Sequence, residues 1–346
     1  MTTRGDTADR GPTILRIPLT TDPPDAPDDL PTYVLRPDEP LAEGLQRIVV
    51  AQYDRMLDTF EAPASELELA VHSFRKAQKR TRALLRLVRF STPTGVYRTE
   101  NASLRDTARV LSDVRDGHVQ LSTLDGLEQR FAGLVAPSVF RDAESWLRAV
   151  TRKRETDLLA DRDRIDRLEA AVLNGRARWI DDTVLGTDDR QLPDRFASIE
   201  DGLAHTYRRG RKSYRAAKKH PSTESLHAWR KSVKYLRYQL ETLESIWPDL
   251  LDAHIARLTD LGELLGVEHD LAILGRTVDT SPEIEPTSDA SWLLGTLIER
   301  RRGELRRQAL ALGPSLFSEG TEAFTDRLRG YWVTGRRPRP DAITRR

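Results

Sequence analysis

The 346-residue chain contains no cysteine, which removes disulfides, thiolate nucleophiles and cysteine-ligated zinc or iron–sulfur centres. Aromatic residues make up only 6% and methionine appears twice. No apolar run approaches the roughly eighteen residues of a spanning helix, and the opening MTTRGDTADRG lacks the apolar core of a secretory signal. Familiar catalytic signatures are missing too: there is no GxxxxGK phosphate loop, no GxSxG and no HExxH. The expectation is a cytosolic protein with no membrane association, no enzymatic activity, no cofactor and no metal.

Net charge is nearly absent, +1 from 55 Lys and Arg against 54 Asp and Glu, but its distribution is uneven. His72 to Phe90 holds seven cations and no acid. His205 to Arg237 holds eleven cations against Glu224 alone. These two stretches carry +17 between them, so the other 294 residues carry −16. A positive field focused on an acidic body is how a polyanion site is made without general stickiness.

Prolines crowd the first forty residues, including TDPPDAPDDLP, and residues 1–40 read as a disordered arm. Residues 331–346 read as a basic tail. The interior is helical in pattern and nearly free of strand signals. Leu41, Leu45, Ile48, Val49, Met56 and Phe60 recur at helix spacing, and Ser65 with Glu68 has the form of a capping box. A long helix is expected over 138–173, ending before Gly175, with a loop over 176–193. Further helices are expected over 198–219, 223–246, 248–265, 290–312 and 317–329, with Gly266 and Gly313 as stops. The fold class is all-α. The halves are placed at 41–180 and 196–330, with a linker at 181–195.

The halves repeat one another. The segment His72-Ser-Phe-Arg75-Lys76-Ala-Gln-Lys79-Arg80-Thr-Arg82 lies over His227-Ala-Trp-Arg230-Lys231-Ser-Val-Lys234-Tyr235-Leu-Arg237, with five identities in eleven positions at an offset of 155. Downstream, Leu104, Asp106, Leu111, Asp116 and Val119 lie over Leu258, Asp260, Leu265, Asp270 and Ile273 at an offset of 154. At about 100° per residue, His72, Arg75, Lys76, Lys79, Arg82 and Arg86 share one helix face, opposite the apolar Phe74, Ala77, Leu84, Leu85 and Val88. In the second copy Trp229, Val233, Leu236, Leu240 and Leu243 form the apolar stripe. Like charges three and four residues apart repel by some tenths of a kcal/mol per pair, and no interspersed acid relieves them. Such a stripe calls for an anion. In the preceding helix, Arg208, Arg211, Lys212 and Arg215 join the candidate set, while Lys218 and Lys219 read as solvated.

The run His227-x-x-Arg230-Lys231-x-x-Lys234-x-x-Arg237-Tyr238-x-x-Glu241, followed by Leu265-Gly266-x-x-x-Asp270, resembles the signature of CHAD domains, the conserved histidine α-helical domains. The first copy carries His72, Arg75, Lys79, Arg80 and Arg82, then Leu111, Arg115, Asp116 and Val119. Tyr235 and Ser112 depart from the pattern. The resemblance covers about residues 41–329. It implies two helical bundles related by a pseudo-twofold, with basic residues of both copies lining a central channel for inorganic polyphosphate, and association with polyphosphate granules.

On this reading His72, Arg75, Lys76, Lys79, Arg82, Arg86, Arg208, Arg211, Lys212, Arg215, His227, Arg230, Lys231, Lys234 and Arg237 bind polyphosphate, and Asp116 and Asp270 orient basic side chains. Arg offers forked donors to phosphate oxygens and Lys a mobile charge. An imidazole beside phosphate should tighten binding toward pH about 6. His269-Asp270 has the form of a metal phosphohydrolase pair, but the repeat places Arg115-Asp116 there, and arginine is no ligand. Glu66-Leu-Glu68-Leu-Ala70 lacks the lysine of the triphosphate-tunnel ExExK motif. Nucleic acid ranks second as partner, because Phe74 and Trp229 lie on core faces rather than among the cations and the rest of the surface is acidic.

Overall fold

A computed structural model describes residues 33–181, 184–186, 191–281 and 289–336. Among them there is no strand, only an isolated bridge between Ala132 and Val135. The first half contains α1 (Leu41–Glu61), α2 (Leu67–Leu87), α3 (Val96–Val110), α4 (Ser112–Arg130), α5 (Ser138–Ala160) and α6 (Arg162–Ile180). The second contains α7 (Ala197–Lys219), α8 (Thr223–Thr242), α9 (Pro248–Thr280), α10 (Asp289–Phe317) and α11 (Thr321–Gly335).

The basic helices form as their patterns dictate. Neither has a glycine or proline inside it, and each buries one apolar stripe: Phe74, Ala77, Leu84, Leu85 and Val88 from the α2 segment, and Trp229, Val233, Leu236, Leu240 and Leu243 from the α8 segment. Full burial of a large apolar side chain contributes about 1.5–3 kcal/mol, so these stripes fix the helices' rotation and turn the cations away from the core. Ser222 opens α8 with a reciprocal box: its hydroxyl accepts from the Ser225 N–H, and the Ser225 hydroxyl accepts from the Ser222 N–H. The box expected at Ser65 and Glu68 is not made. A 3-10 turn over Ala64–Glu66 takes its place, and Glu66 caps α2 without a side-chain bond.

Helix ends differ from expectation where a local constraint outweighs the periodic pattern. The long helix over 138–173 is broken at Asp161, whose carboxylate accepts from the Arg164 N–H and starts α6. Residues 176–180, expected as loop, continue that helix, and Gly175 inside it leaves room for the Tyr53 ring. Gly266 does not stop α9, which runs on to Thr280. Gly313 and Pro314 lie within α10, where Gly313 accommodates Tyr214.

The halves meet through α2 against α7 and α8, α4 against α9, and α5 against α10. At the α2–α8 crossing the buried Gln239 amide donates to the Ala83 carbonyl at 3.1 Å. Between α2 and α7 the backbones touch, since a Cβ on Gly202 would lie 1.9 Å from the Leu87 carbonyl oxygen.

Part of the expected arm belongs to the packed body. Tyr33 and Leu35 are buried, and the Leu35 N–H donates to the Thr242 carbonyl at 2.9 Å. Asp194 accepts from the Leu41 N–H at 3.1 Å and from Arg336 at 3.0 Å, while Arg336 also donates to the Glu39 carbonyl. Residues 331–335, expected in the basic tail, belong to α11. The arm over 1–32 and the tail over 337–346 lie outside the described residues, as do 182–183 and 187–190 of the expected linker.

Candidate polyanion-binding site

Cations of both halves come together where α2, α4, α8 and α9 converge. Arg75 on α2 donates through Nη1 to the Ala108 carbonyl at 3.0 Å, while its buried Nε has no protein partner. Burial pushes this guanidinium down to about 10, Arg115 pushes the same way, and Arg82 and Arg230 add to it against the opposing pull of Asp116. Arg230 on α8 lies along Gly266 of α9, where a Cβ would sit 3.5 Å from its Nη2. Its Nε is likewise buried without a protein partner.

Two histidines stack beside these arginines. The His227 and His269 rings lie 4.1 Å apart with planes inclined by 28°, and both Nδ1 atoms are buried without partners. Burial brings His227 down to about 4, and Lys231 and Arg230 add to this while Asp270 opposes them. His269 falls to about 3 through burial, then through His227, Arg230, Arg115 and Arg276. Asp116 pairs with Arg115 at 3.2 Å, and Asp270 is buried and acts on His227. Two acids among this many cations leave a local positive field that an anion would relieve.

Next to this cluster is a chamber of about 210 Å³, lined by Arg82, Arg86, Arg89, Tyr97, His205, Thr206, Arg209, Lys231, Ser232 and Tyr235, with no acid in its wall. The cations are braced. The Arg86 guanidinium lies 4.1 Å above the Tyr235 ring and Arg89 lies 4.6 Å above Tyr97. Arg82 donates to the Asn101 side chain at 3.2 Å. Arg89 also donates to His205 Nε2 at 3.2 Å, and His205 is pushed below its ordinary value by burial, then by Arg89, Arg209, Arg208 and Arg86. A larger cavity of about 540 Å³ lies between α4 and α5, but Glu68, Asp125, Glu128, Glu144 and Glu155 give its wall the wrong sign for an anion.

Of the residues expected from sequence, Arg75, Arg82, Arg86, His227, Arg230 and Lys231 are brought to the cluster or chamber. His72, Lys76, Lys79 and Lys234 are half-buried on the same two helices. Arg237 is held elsewhere, paired with Glu241 at 3.2 Å and donating to the Thr259 hydroxyl at 3.4 Å. Arg211 donates to the Phe317 carbonyl at 3.3 Å, and Arg208, Lys212 and Arg215 are exposed. Arg80, although it fits the repeated motif, is a core residue: its guanidinium lies 4.5 Å above the Tyr33 ring and 3.9 Å from Glu241.

Arg89, Tyr97, Arg115, His205, Arg209, Tyr235 and His269 were not among the expected site residues. Arg115 and His269 stand 154 apart, at equivalent repeat positions, and that equivalence was the signal for them. Arg89 and Arg209 lie inside the two basic stretches. Nothing in the sequence marks Tyr97. Phe74 and Trp229 are buried on core faces as expected, whereas Tyr97 and Tyr235 place two other rings among the cations.

Among the described residues no group of three or more His, Asp or Glu is placed to hold a metal ion, and no helix is long and apolar enough to cross a membrane. Helical among its described residues, with a cation-rich cavity where its halves meet, the molecule is a helical-bundle protein. The CHAD domain family model matches residues 39–279. The chain belongs to that family, which is linked to polyphosphate binding. Among curated proteins none matches it. Its fold is similar to that of PptA from Streptomyces chartreusis, with a TM-score of 0.59 and 17% identity over 81% of this chain and 100% of that one. It is similar also to the CHAD domain from the plant Ricinus communis, with a TM-score of 0.55 and 17% identity over 89% of this chain and 96% of that one.

Proposed function

We propose that the protein binds inorganic polyphosphate without catalysing a reaction on it, through a basic channel to which both halves contribute, and that it associates with polyphosphate granules. The observation that carries this reading is the convergence of Arg75 and Arg230, from repeat-equivalent positions, on one half-buried spot. Polyphosphate offers a row of charges and no base edges, so a dense track of forked and mobile cations suffices to recognise it. Family membership supports the substrate class. Reciprocal contacts between α2 and α8, Arg80 with Glu241 and Arg86 with Tyr235, support an internal duplication about a pseudo-twofold.

The alternative partner is a nucleic-acid backbone. The rings of Tyr97 and Tyr235 lie among the cations, but guanidinium groups cover them, which leaves little open platform for base stacking. Competition between long-chain polyphosphate and DNA at fixed salt separates the two readings. Preferential capture of polyphosphate is expected, and preferential capture of DNA would reverse the assignment. Absence of phosphate release from polyphosphate, with magnesium or manganese added, is the matching test of the non-enzymatic reading.

A further inference from the structure

The chamber beside the central cluster differs from an open track in one respect: α2 is closed against α7 on one side and against α8 on the other. Its wall comes from Arg82 and Arg86 of α2, Arg89 just beyond, Tyr97 of α3, Thr206 and Arg209 of α7, and Lys231 and Tyr235 of α8. One turn below Thr206 on α7 is Gly202, in backbone contact with Leu87 next to Arg86. No chain can pass between α2 and α7 there. On the other side, the Gln239 bond to the Ala83 carbonyl and the Tyr235 ring under Arg86 close the gap between α2 and α8. A polymer threading through a protein needs two openings, whereas a chamber floored in this way accepts an end.

The charge inside fits an end as well. An interior phosphoryl unit has a single ionisable oxygen. A terminal one has a second, which by analogy with a phosphate monoester titrates near pH about 6 and brings its charge to about −1.5 to −2 at neutral pH. The chamber presents five Lys and Arg side chains in about 210 Å³ with no carboxylate in the wall. Arg86 and Arg89 are held by aromatic faces, so less side-chain freedom is lost when their N–H groups engage a ligand.

We propose that this chamber is a chain-end subsite, which grips the terminal phosphoryl group of a polyphosphate while the adjacent cluster holds interior units. The inference rests on the polyphosphate reading and deepens it. A protein with such a subsite counts chain ends, so at equal total phosphate it binds more copies of itself to short chains than to long ones.

The test compares polyphosphate of one short, matched length with free ends and with both ends capped as phosphoramidates, titrated calorimetrically against the full chain at fixed salt. Free-ended chains are expected to bind on the order of ten-fold more tightly. In the Arg89→Gln, Arg209→Gln double variant, with its fold checked by thermal melting, the two affinities should converge. A second pair, Arg89→Lys and Arg209→Lys, keeps the charge and should retain the preference in part, guarding against a merely misfolded chamber. Equal affinity of the wild-type protein for capped and free chains would overturn the chain-end subsite alone. Failure to bind either form would remove the polyphosphate reading itself.

Discussion

Arg80 on α2 and Glu241 on α8 face each other at 3.9 Å with both side chains buried. The contact has a counterpart: Arg86 on α2 lies 4.1 Å above the Tyr235 ring on α8. Positions 80 and 235 differ by 155, and so do 86 and 241, so the two contacts exchange partners under the repeat offset. One serves as a core ion pair. The other forms part of the wall of the cation chamber.

Substitution should separate these roles. Glu241→Gln leaves Arg80 buried opposite a neutral amide and weakens Arg237's pairing. Breaking a buried pair from one side costs about 3–5 kcal/mol, so the urea midpoint should fall sharply with little change in slope. Arg86→Gln loses the cation–aromatic contact with Tyr235 but strands no buried charge, so it should cost less, about 0.5–1 kcal/mol, while weakening polyphosphate binding.

Arg75→Gln combined with Arg230→Gln should cost at least ten-fold in polyphosphate affinity and flatten its salt dependence by about one to two units of log–log slope. Stability should not follow. The Arg75 guanidinium is held down to about 10 when folded, below its ordinary range, so at neutral pH its charge opposes folding. Loss of its bond to Ala108 works the other way. The melting temperature at low salt is expected to hold or rise.

The stacked histidines set a pH window. With folded values of about 4 and about 3 against about 6.5 unfolded, neither ring affects stability above pH about 6.5. Below it the unfolded chain takes up protons that the folded protein refuses, so the pair makes stability fall with falling pH until about 4 and about 3. A bound polyanion raises both values, so affinity should climb as pH falls toward about 4 and about 3, a window lying lower than the pH 6 expected from sequence. His254 is lowered in the same way, and Glu244, raised to about 7 by burial and Asp252, contributes with the opposite sign. The measurement is therefore the difference between wild type and the His227→Asn, His269→Asn double variant. That variant should bind with a flatter pH profile.

Gly202→Ala should be among the most damaging single changes. Its new methyl would meet the Leu87 carbonyl oxygen at 1.9 Å, and backbone can yield only by separating α7 from α2. Poor soluble yield or a large drop in melting temperature is expected, whereas Gly126→Ala, with nothing within 4 Å, should be benign and, in mid-helix, slightly stabilising.

The basic helices were legible in the sequence because one repeated pattern encodes both their rotation and their charge: the apolar stripes that bury also decide where Arg75 and Arg230 point. Their meeting place was legible only through the repeat. Arg115 and His269 look unrelated as residues, although they occupy equivalent positions beside the same cluster. Tyr97 was not recoverable, and Arg209, although inside a basic stretch, was not placed at the chamber by it, because both depend on how α3 and α7 pack onto α2, which no local pattern records. Helix ends failed where glycine served packing: Gly175 and Gly313 make room for Tyr53 and Tyr214 rather than ending a helix, and Gly266 sits within a helix that runs past it. Arg237 and Arg80 follow the motif's spacing yet are drawn to Glu241; for Arg237 that partner stands four residues on in the same helix and is readable from the spacing, while for Arg80 it becomes visible only once α2 and α8 cross.

Asp194 ties Leu41 and Arg336 to one carboxylate, and Arg336 reaches the Glu39 carbonyl. The first and last helices of the body are thus moored at a common point, midway along the chain. A gene rearranged so that the second half is translated first, with residue 336 spliced through a short bridge to residue 33, would leave every helix in place. The order of the two halves is then a convention of the reading frame, and the architecture does not depend on it.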